Sequence, residues 1–313
     1  MLANKFVQNI RLKTEPNFLH ILPDESLSIT QSIKNDLLDE KKIGLDVKRE
    51  DLIHPYLSGN KWRKLKYNIA EAQKQGKTRL LTFGGAHSNH IYATAAAGKL
   101  YGFETIGIIR GDELMPDNET LAFAKTCNMM LKFLSRAAYR LKAEGAFLEE
   151  LEAEFGDFYW LPEGGTNALA IEGCEEIVST QDFAKYDYVA LMMGTGGTIS
   201  GVLNASNGRS HIIGISALKG EFMKAEIDKL NDKYQLKGCQ NYTIFTQFHH
   251  GGYGKNDPKL EVFINKFMDK TEIPVEYVYT GKLFHALFDL AGNDFFKPNS
   301  KILAIHTGGL RHR

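Results

Sequence analysis

Lys61 stands in Ser58-Gly59-Asn60-Lys61-Trp62-Arg63-Lys64, a lysine on a short Gly-Asn turn that opens straight into a helical pattern. In water a lysine has a pKa near ~10.4 and is a poor nucleophile. Desolvated at its tip in a cleft, it becomes an amine able to form a Schiff base with an aldehyde. One lysine carries little weight, because most lysines are solvated surface residues. The weight comes from Gly84-Gly85-Ala86-His87-Ser88-Asn89-His90, Gly194-Thr195-Gly196-Gly197-Thr198 and His306-Thr307-Gly308-Gly309. Together these segments read as a site for pyridoxal 5'-phosphate.

Each segment also has a plainer reading. Gly194 to Thr198 follows the strand-like run Tyr186-Met193 and precedes a helical pattern that begins near Thr198. Ligands of open α/β sheets sit at such places, beyond the carboxyl ends of the strands. Glycines there let backbone N–H groups approach an anion, and threonine hydroxyls add donors. The alternative is an ordinary tight strand-to-helix turn. Ser88 reads equally as an N-cap for the helix Asn89-Tyr101. That leaves the polar cluster His87, Ser88, Asn89 and His90 unexplained, and helix-start amides with these side chains could grip a carboxylate. Tyr253 in Gly251-Gly252-Tyr253-Gly254 and Tyr279 in Val278-Tyr279-Thr280-Gly281 have glycine-flanked settings at strand ends. The chain holds 13 tyrosines, most of which a core would use for packing.

The elements that must position these residues alternate along the chain. Arg79-Phe83, Glu104-Ile109, Tyr186-Met193, His211-Ala217 and Lys301-Ile305 are short runs of Ile, Leu and Val without period-two alternation, as in strands buried on both faces. Helical patterns cover Lys61-Gln75, Asn89-Tyr101, Asn118-Cys127, Tyr139-Glu154, Ala168-Thr180 and Glu221-Tyr234. The alternation predicts parallel sheets covered by helices. At 313 residues the chain suits two lobes. The turns Leu57-Asn60 and Pro162-Asn167 are the places to cross between them. This gives a large cofactor-binding lobe from 1–58 and 163–313, with a smaller α/β lobe, 59–162, inserted.

Composition narrows the function classes. Lys plus Arg and Asp plus Glu number 38 each, so no net field favours nucleic acid or an anionic membrane. No apolar run approaches the ~20 residues that span a bilayer, and Met1 to Arg11 lacks the apolar stretch of a secretory signal. Cys127, Cys174 and Cys239 lie far apart and read as reduced thiols of a cytoplasmic protein. The histidines near the glycine turns lack the spacing of a metal site, and no metal is expected.

The segments Lys48-Arg49-Glu50-Asp51-Leu52 and Gly59-Asn60-Lys61-Trp62-Arg63-Lys64-Leu65 resemble the start of the 1-aminocyclopropane-1-carboxylate deaminase/D-cysteine desulfhydrase family. Gly84 to His90, Pro162-Glu163-Gly164-Gly165-Thr166-Asn167, Val278-Tyr279-Thr280-Gly281-Lys282 and His306 to Gly309 follow in that family's order, so the resemblance spans roughly residues 45 to 309. It implies a two-lobed, three-layer αβα, tryptophan-synthase-β-like fold, the second fold type of pyridoxal enzymes. By similarity Lys61 carries the cofactor and moves the Cα proton, and Asn89 bonds the cofactor's phenolic oxygen. Ser88, Asn89 and His90 hold the substrate carboxylate, while Lys64, Thr195, Gly196, Gly197 and Thr198 hold the phosphate. Tyr253 and Tyr279 match the family's active-site tyrosines, Thr280 lies near the pyridine nitrogen, and Thr307 lies at the rim of the ring. A homodimer and a small amino-acid substrate are implied in the same way.

Two positions depart within the family. Deaminases that open the cyclopropane ring carry Glu directly after the second tyrosine, where this chain has Thr280, as in desulfhydrase-like members. A carboxylate there keeps the ring nitrogen protonated and strengthens the electron sink, so Thr280 favours elimination of a β leaving group. Trp62 stands where a smaller residue, often Thr, is usual, which raises the expectation of a reshaped pocket. The resulting expectation is a lyase acting as a D-cysteine desulfhydrase, releasing pyruvate, ammonia and sulfide. Its rivals are 1-aminocyclopropane-1-carboxylate deaminase, a nicotinamide oxidoreductase and a non-catalytic pyridoxal-phosphate-binding protein. The nicotinamide reading rests only on the βα alternation and lacks the G-x-G-x-x-G spacing.

Overall fold

The computed structural model describes residues 21–111, 118–236, 240–255 and 257–310; Cys239 lies outside them. Ten strands in that range form two sheets. They are β1 (Thr30–Ile33), β2 (Gly44–Lys48), β3 (Arg79–Gly85), β4 (Glu104–Arg110), β5 (Met130–Leu134), β6 (Tyr159–Leu161), β7 (Tyr188–Met193), β8 (His211–Ser216), β9 (Tyr242–Phe245) and β10 (Lys301–Ile305). One sheet has the order β1-β2-β10-β7-β8-β9, the other β5-β4-β3-β6. The chain therefore builds two strands of the larger sheet, makes the whole smaller sheet, and returns to finish the first.

Every pairing is parallel except β1 with β2. That antiparallel edge differs from the all-parallel expectation. A hairpin-like return through the short helix Asp36–Glu40 supplies it, whereas a parallel neighbour would need a longer crossover. The inner strands are covered on both faces. Ala190 and Met192 of β7 with Ile302 and Ala304 of β10 join one apolar cluster; Val189, Leu191 and Met193 with Leu303 and Ile305 join the opposite one. Helices thus sandwich the sheet, which explains why these strands read as continuous apolar runs.

Three helices of the interior, Asn60–Lys74, Ala168–Glu175 and Gly197–Ser206, pack side by side. Their close approach depends on missing side chains. A Cβ on Gly173 would fall 1.9 Å from the Arg63 carbonyl oxygen, and one on Gly201 would fall 2.5 Å from that of Ile171. The packing joins the smaller sheet's leading helix to the larger sheet and brings the three helix starts together.

Several expected boundaries shift. The pattern over Tyr139-Glu154 resolves into two helices, Arg136–Tyr139 and Gly145–Phe155, because the backbone between them tightens into i→i−3 turns. The pattern over Ala168-Thr180 likewise breaks, and Ser179 caps a new helix, Thr180–Lys185, through a capping box with Asp182. The helices Pro258–Thr271 and Thr280–Gly292, absent from the sequence reading, close the fold. No helix among the described residues is long and apolar enough to cross a membrane.

Candidate active site

The carboxyl ends of β3, β6, β7 and β10 converge between the two sheets, and the singled-out residues gather there. The chain leaves β3 through Ala86 and His87 into Ser88, whose hydroxyl accepts the N–H groups of His90 (3.2 Å) and Ile91 (3.3 Å). Ser88 is therefore an N-cap, as its position suggested. Asn89 begins the helix, and a Cβ on Gly309 would meet its Nδ2 at 2.7 Å. This contact sets the His306–Gly309 turn, at the end of β10, directly against the end of β3.

Lys61 lies on the first turn of the helix Asn60–Lys74. It is half-buried, with Nζ 3.1 Å from Asn60 Oδ1. Asn60 Nδ2 in turn donates to Thr198 Oγ1 at 3.0 Å. Gly59, with φ +61°, lies against the Thr307 backbone; a Cβ there would fall 2.1 Å from the Thr307 carbonyl oxygen. His306 fixes that turn. Its Nε2 lies 2.6 Å from the Pro274 carbonyl oxygen, and its Nδ1 lies 3.3 Å from both Gly308 N and Asp51 Oδ1.

Lys64, one turn after Lys61, is 3% exposed. Its Nζ donates to the Gly164 carbonyl (2.9 Å), Thr166 Oγ1 (3.1 Å) and Thr195 Oγ1 (3.4 Å), and the two threonine hydroxyls lie 2.7 Å apart. Lys64 forms no ion pair among the described residues. Burial pushes its pKa down, because neutral oxygens replace only part of the lost hydration. His90, 2% exposed, has neither ring nitrogen hydrogen-bonded among the described residues. Its pKa falls well below the ordinary value through desolvation and then through the nearby charges of Lys61 and Lys64. Its neutral ring can offer one donor and one acceptor.

These observations fit a phosphate-bearing aldehyde. A buried ammonium without a carboxylate, two hydroxyls, the convergent starts of three helices and an orphaned imidazole all favour an anion. Backbone space is available at Gly197, where a Cβ would crowd Thr166 Oγ1 at 2.8 Å and Lys64 Nζ at 3.1 Å. A half-buried lysine stands one turn away.

On the other wall, Tyr253 and Tyr279 stack edge to face with centroids 5.8 Å apart. The hydroxyl of Tyr279 would be 3.7 Å from a Cβ on Gly194. Neither tyrosine sits at a strand end: Tyr253 follows the turn after β9, and Tyr279 immediately precedes the helix Thr280–Gly292. Thr280 is fully buried. Its hydroxyl donates to Glu276 Oε1 (3.2 Å) and accepts from Glu276 N (3.0 Å). Trp62 does not contact the partners of Lys64. Its indole stacks on Tyr101 (6.1 Å, 9°) and donates to Glu25 Oε1 at 2.8 Å, on the helix face away from Lys64's partners.

Asn60, Thr166 and Glu276 belong to this constellation but were not singled out from the sequence. Asn60 and Thr166 sit inside segments already quoted. Glu276, an isolated acid in an otherwise apolar stretch, gave no local signal.

A family model described as "Pyridoxal-phosphate dependent enzyme" matches residues 30–308. A Pyrococcus horikoshii protein named "Putative 1-aminocyclopropane-1-carboxylate deaminase" is 32% identical, covering 86% of each chain. The mitochondrial "Bifunctional D-cysteine desulfhydrase/1-aminocyclopropane-1-carboxylate deaminase" of Arabidopsis thaliana is 29% identical over 84% of this chain and 72% of its own. Among solved structures, a homologue of 1-aminocyclopropane-1-carboxylate deaminase superposes with a TM-score of 0.77 at 28% identity, covering 94% of both chains. A hydrogen sulfide-producing enzyme from Fusobacterium nucleatum shares the fold, with a TM-score of 0.63 at 16% identity.

Proposed function

This chain belongs to the pyridoxal-phosphate dependent enzymes, within the 1-aminocyclopropane-1-carboxylate deaminase/D-cysteine desulfhydrase family, and we propose that it is a lyase eliminating a β leaving group from a small amino acid, D-cysteine first among substrates. The observation that carries this choice is Thr280, whose buried hydroxyl is engaged by Glu276, at the position where the family resemblance implies a carboxylate in ring-opening members. Bound pyridoxal phosphate supplies an electron sink for charge developing at Cα.

The chain's own groups supply the rest. Lys61 Nζ, steered by Asn60, holds the cofactor and takes the Cα proton. Lys64, Thr195, Gly196, Gly197 and Thr198 cradle the phosphate, with Thr166 as a further hydroxyl. Asn89 would orient the cofactor ring, and Thr280 and Thr307 would border it. The helix-start amides beyond Ser88, with Asn89 and His90, receive the substrate carboxylate. A tyrosine hydroxyl, from Tyr253 or Tyr279, protonates the departing group. The two lobes divide near 58/59 and 162/163, so the cofactor cleft lies where they meet. A homodimer, implied by the family resemblance, and a cytoplasmic location, suggested by the three dispersed cysteines, are part of this proposal.

The test is a side-by-side assay with D-cysteine and 1-aminocyclopropane-1-carboxylate. Sulfide and pyruvate from the first, with little ammonia from the second, is the expected result; the reverse preference would overturn the assignment. The phosphate cradle is checked separately by Lys64→Met. Losing a charged hydrogen-bond donor costs about 1.5–3 kcal/mol, so the cofactor's dissociation constant is expected to rise about 10- to 100-fold. Fluorescence titration measures it, and an unchanged constant would remove Lys64 from the cradle.

A further inference from the structure

The turn that carries Tyr253 lies outside both sheets. His250, Gly251, Gly252 and Gly254 all have positive φ (48°, 84°, 115° and 64°), and the segment belongs to no sheet ladder. Within it, Gly252 N donates to the His249 carbonyl at 3.0 Å, Gly251 N to His249 Nδ1 at 3.0 Å, and Lys255 N to the Gly252 carbonyl at 3.4 Å. Beneath it lies Lys282, an entirely buried lysine on the helix Thr280–Gly292. Its ammonium donates to the His249 carbonyl at 2.8 Å and the Gly252 carbonyl at 2.9 Å, so it ties the two ends of the turn together.

The same helix start fixes the other tyrosine. Buried Glu276 accepts the N–H groups of Val278 (2.5 Å), Tyr279 (2.9 Å) and Thr280 (2.8 Å). Lys282 and Glu276 are near enough to interact, as are Lys282 and Asp257, which offsets part of the desolvation that draws the Lys282 pKa down to about 8. Asp257 also holds His250 Nδ1 at 2.7 Å, and the His250 ring packs edge to face on His285 of that helix, 4.7 Å away. Both tyrosines are therefore referenced to one helix terminus, Tyr279 through Glu276 and Tyr253 through Lys282.

We propose that Lys282 is a positioning residue, which clamps the 249–252 turn onto the helix so that the Tyr253 ring is held edge to face against Tyr279. The proposal rests on the reading of Tyr253 as a catalytic group. A buried charge on a clamp is otherwise costly, and a leucine would fill the same space. The two carbonyls it joins belong to the turn that delivers Tyr253, and for a reacting group a displacement of about 1 Å costs on the order of 100-fold in rate.

The experiment compares holoenzymes of the wild type, Lys282→Met and Lys282→Gln. The second retains two N–H donors and covers the case in which the first does not fold. Hydrogen exchange at residues 250–254 is measured first, since it needs no substrate and remains informative even if the lyase assignment fails. The expected result is exchange about 10-fold faster in that turn, with the rest of the helix Thr280–Gly292 unchanged. On the reacting amino acid, kcat falls about 10- to 100-fold with KM nearly constant, and Tyr253→Phe adds little in the variant background. Unchanged exchange in the turn overturns the proposal. So does loosening spread evenly over the helix, or full multiplication of the Lys282 and Tyr253 effects, since each marks a lysine serving folding alone.

Discussion

Lys61→Ala is expected to abolish the visible absorption of bound cofactor and lower turnover by at least about 10⁴-fold, while the protein remains folded. The expectation follows from position. Lys61 is half-buried on a helix start, steered by Asn60, which is itself tied to Thr198 at 3.0 Å. It belongs to none of the apolar clusters, so its truncation opens no core cavity. A covalent amine cannot be replaced by binding energy elsewhere in the site. The comparison that gives the test its edge is Lys64, a buried lysine one turn away. If Lys61→Ala keeps the absorption band while Lys64→Met loses it at saturating cofactor, the roles of the two lysines are exchanged and the site assignment fails.

Arg63→Met is expected to cost about 3–5 kcal/mol of folding stability, the largest effect predicted for any single change outside the cleft. Arg63 lies on the same helix as Lys61 and is 4% exposed. It grips Glu50, 0% exposed, with Nε to Oε2 at 2.8 Å and Nη2 to Oε1 at 3.0 Å, and it also reaches Glu25. Removing the guanidinium leaves a carboxylate buried without its cation. The backbone adds a functional consequence, because the Glu50 carbonyl accepts Gly59 N at 2.9 Å, immediately before the Lys61 turn. Denaturant unfolding of the single variant and of Arg63→Met/Glu50→Leu checks the cause. The double variant is expected to recover much of the loss, since apolar replacement of both partners removes the stranded charge. A loss below about 1 kcal/mol in the single variant would show that the Arg63–Glu50 pair adds little to stability.

The parts of the fold legible in the sequence were those with dense local signals. The helix Asn89–Tyr101 and the strand Lys301–Ile305 fall where patterning placed them, because capping and apolar runs are properties of adjacent residues. The antiparallel edge strand β1 was not legible: Thr30-Gln31-Ser32-Ile33 has a single buried residue, and its register comes from its neighbour β2. The helices Pro258–Thr271 and Thr280–Gly292 carry amphipathic patterns that the sequence reading passed over, even though Asp257 and Pro258 mark the start of the first.

At the site, the sequence by itself determined the chemical inventory. It set a lysine at the mouth of a helix, a serine-capped helix start with Asn89 and His90, a glycine-threonine turn after a strand, and Thr280 directly after Tyr279. Those follow from residue types and short spacings, which bond geometry turns into local structure. Only the tertiary structure decided which of them share space. Asn89 meets Gly309, Lys64 meets Thr166 and Thr195, and Gly59 lies on Thr307, each across more than 90 residues of chain. It alone turned Trp62 outward onto Tyr101 and set Glu276 and Lys282 beneath the two tyrosines. The reason is physical: burial and the close approach of backbones at Gly173 and Gly201 depend on packing between distant elements, and no local sequence pattern encodes that packing.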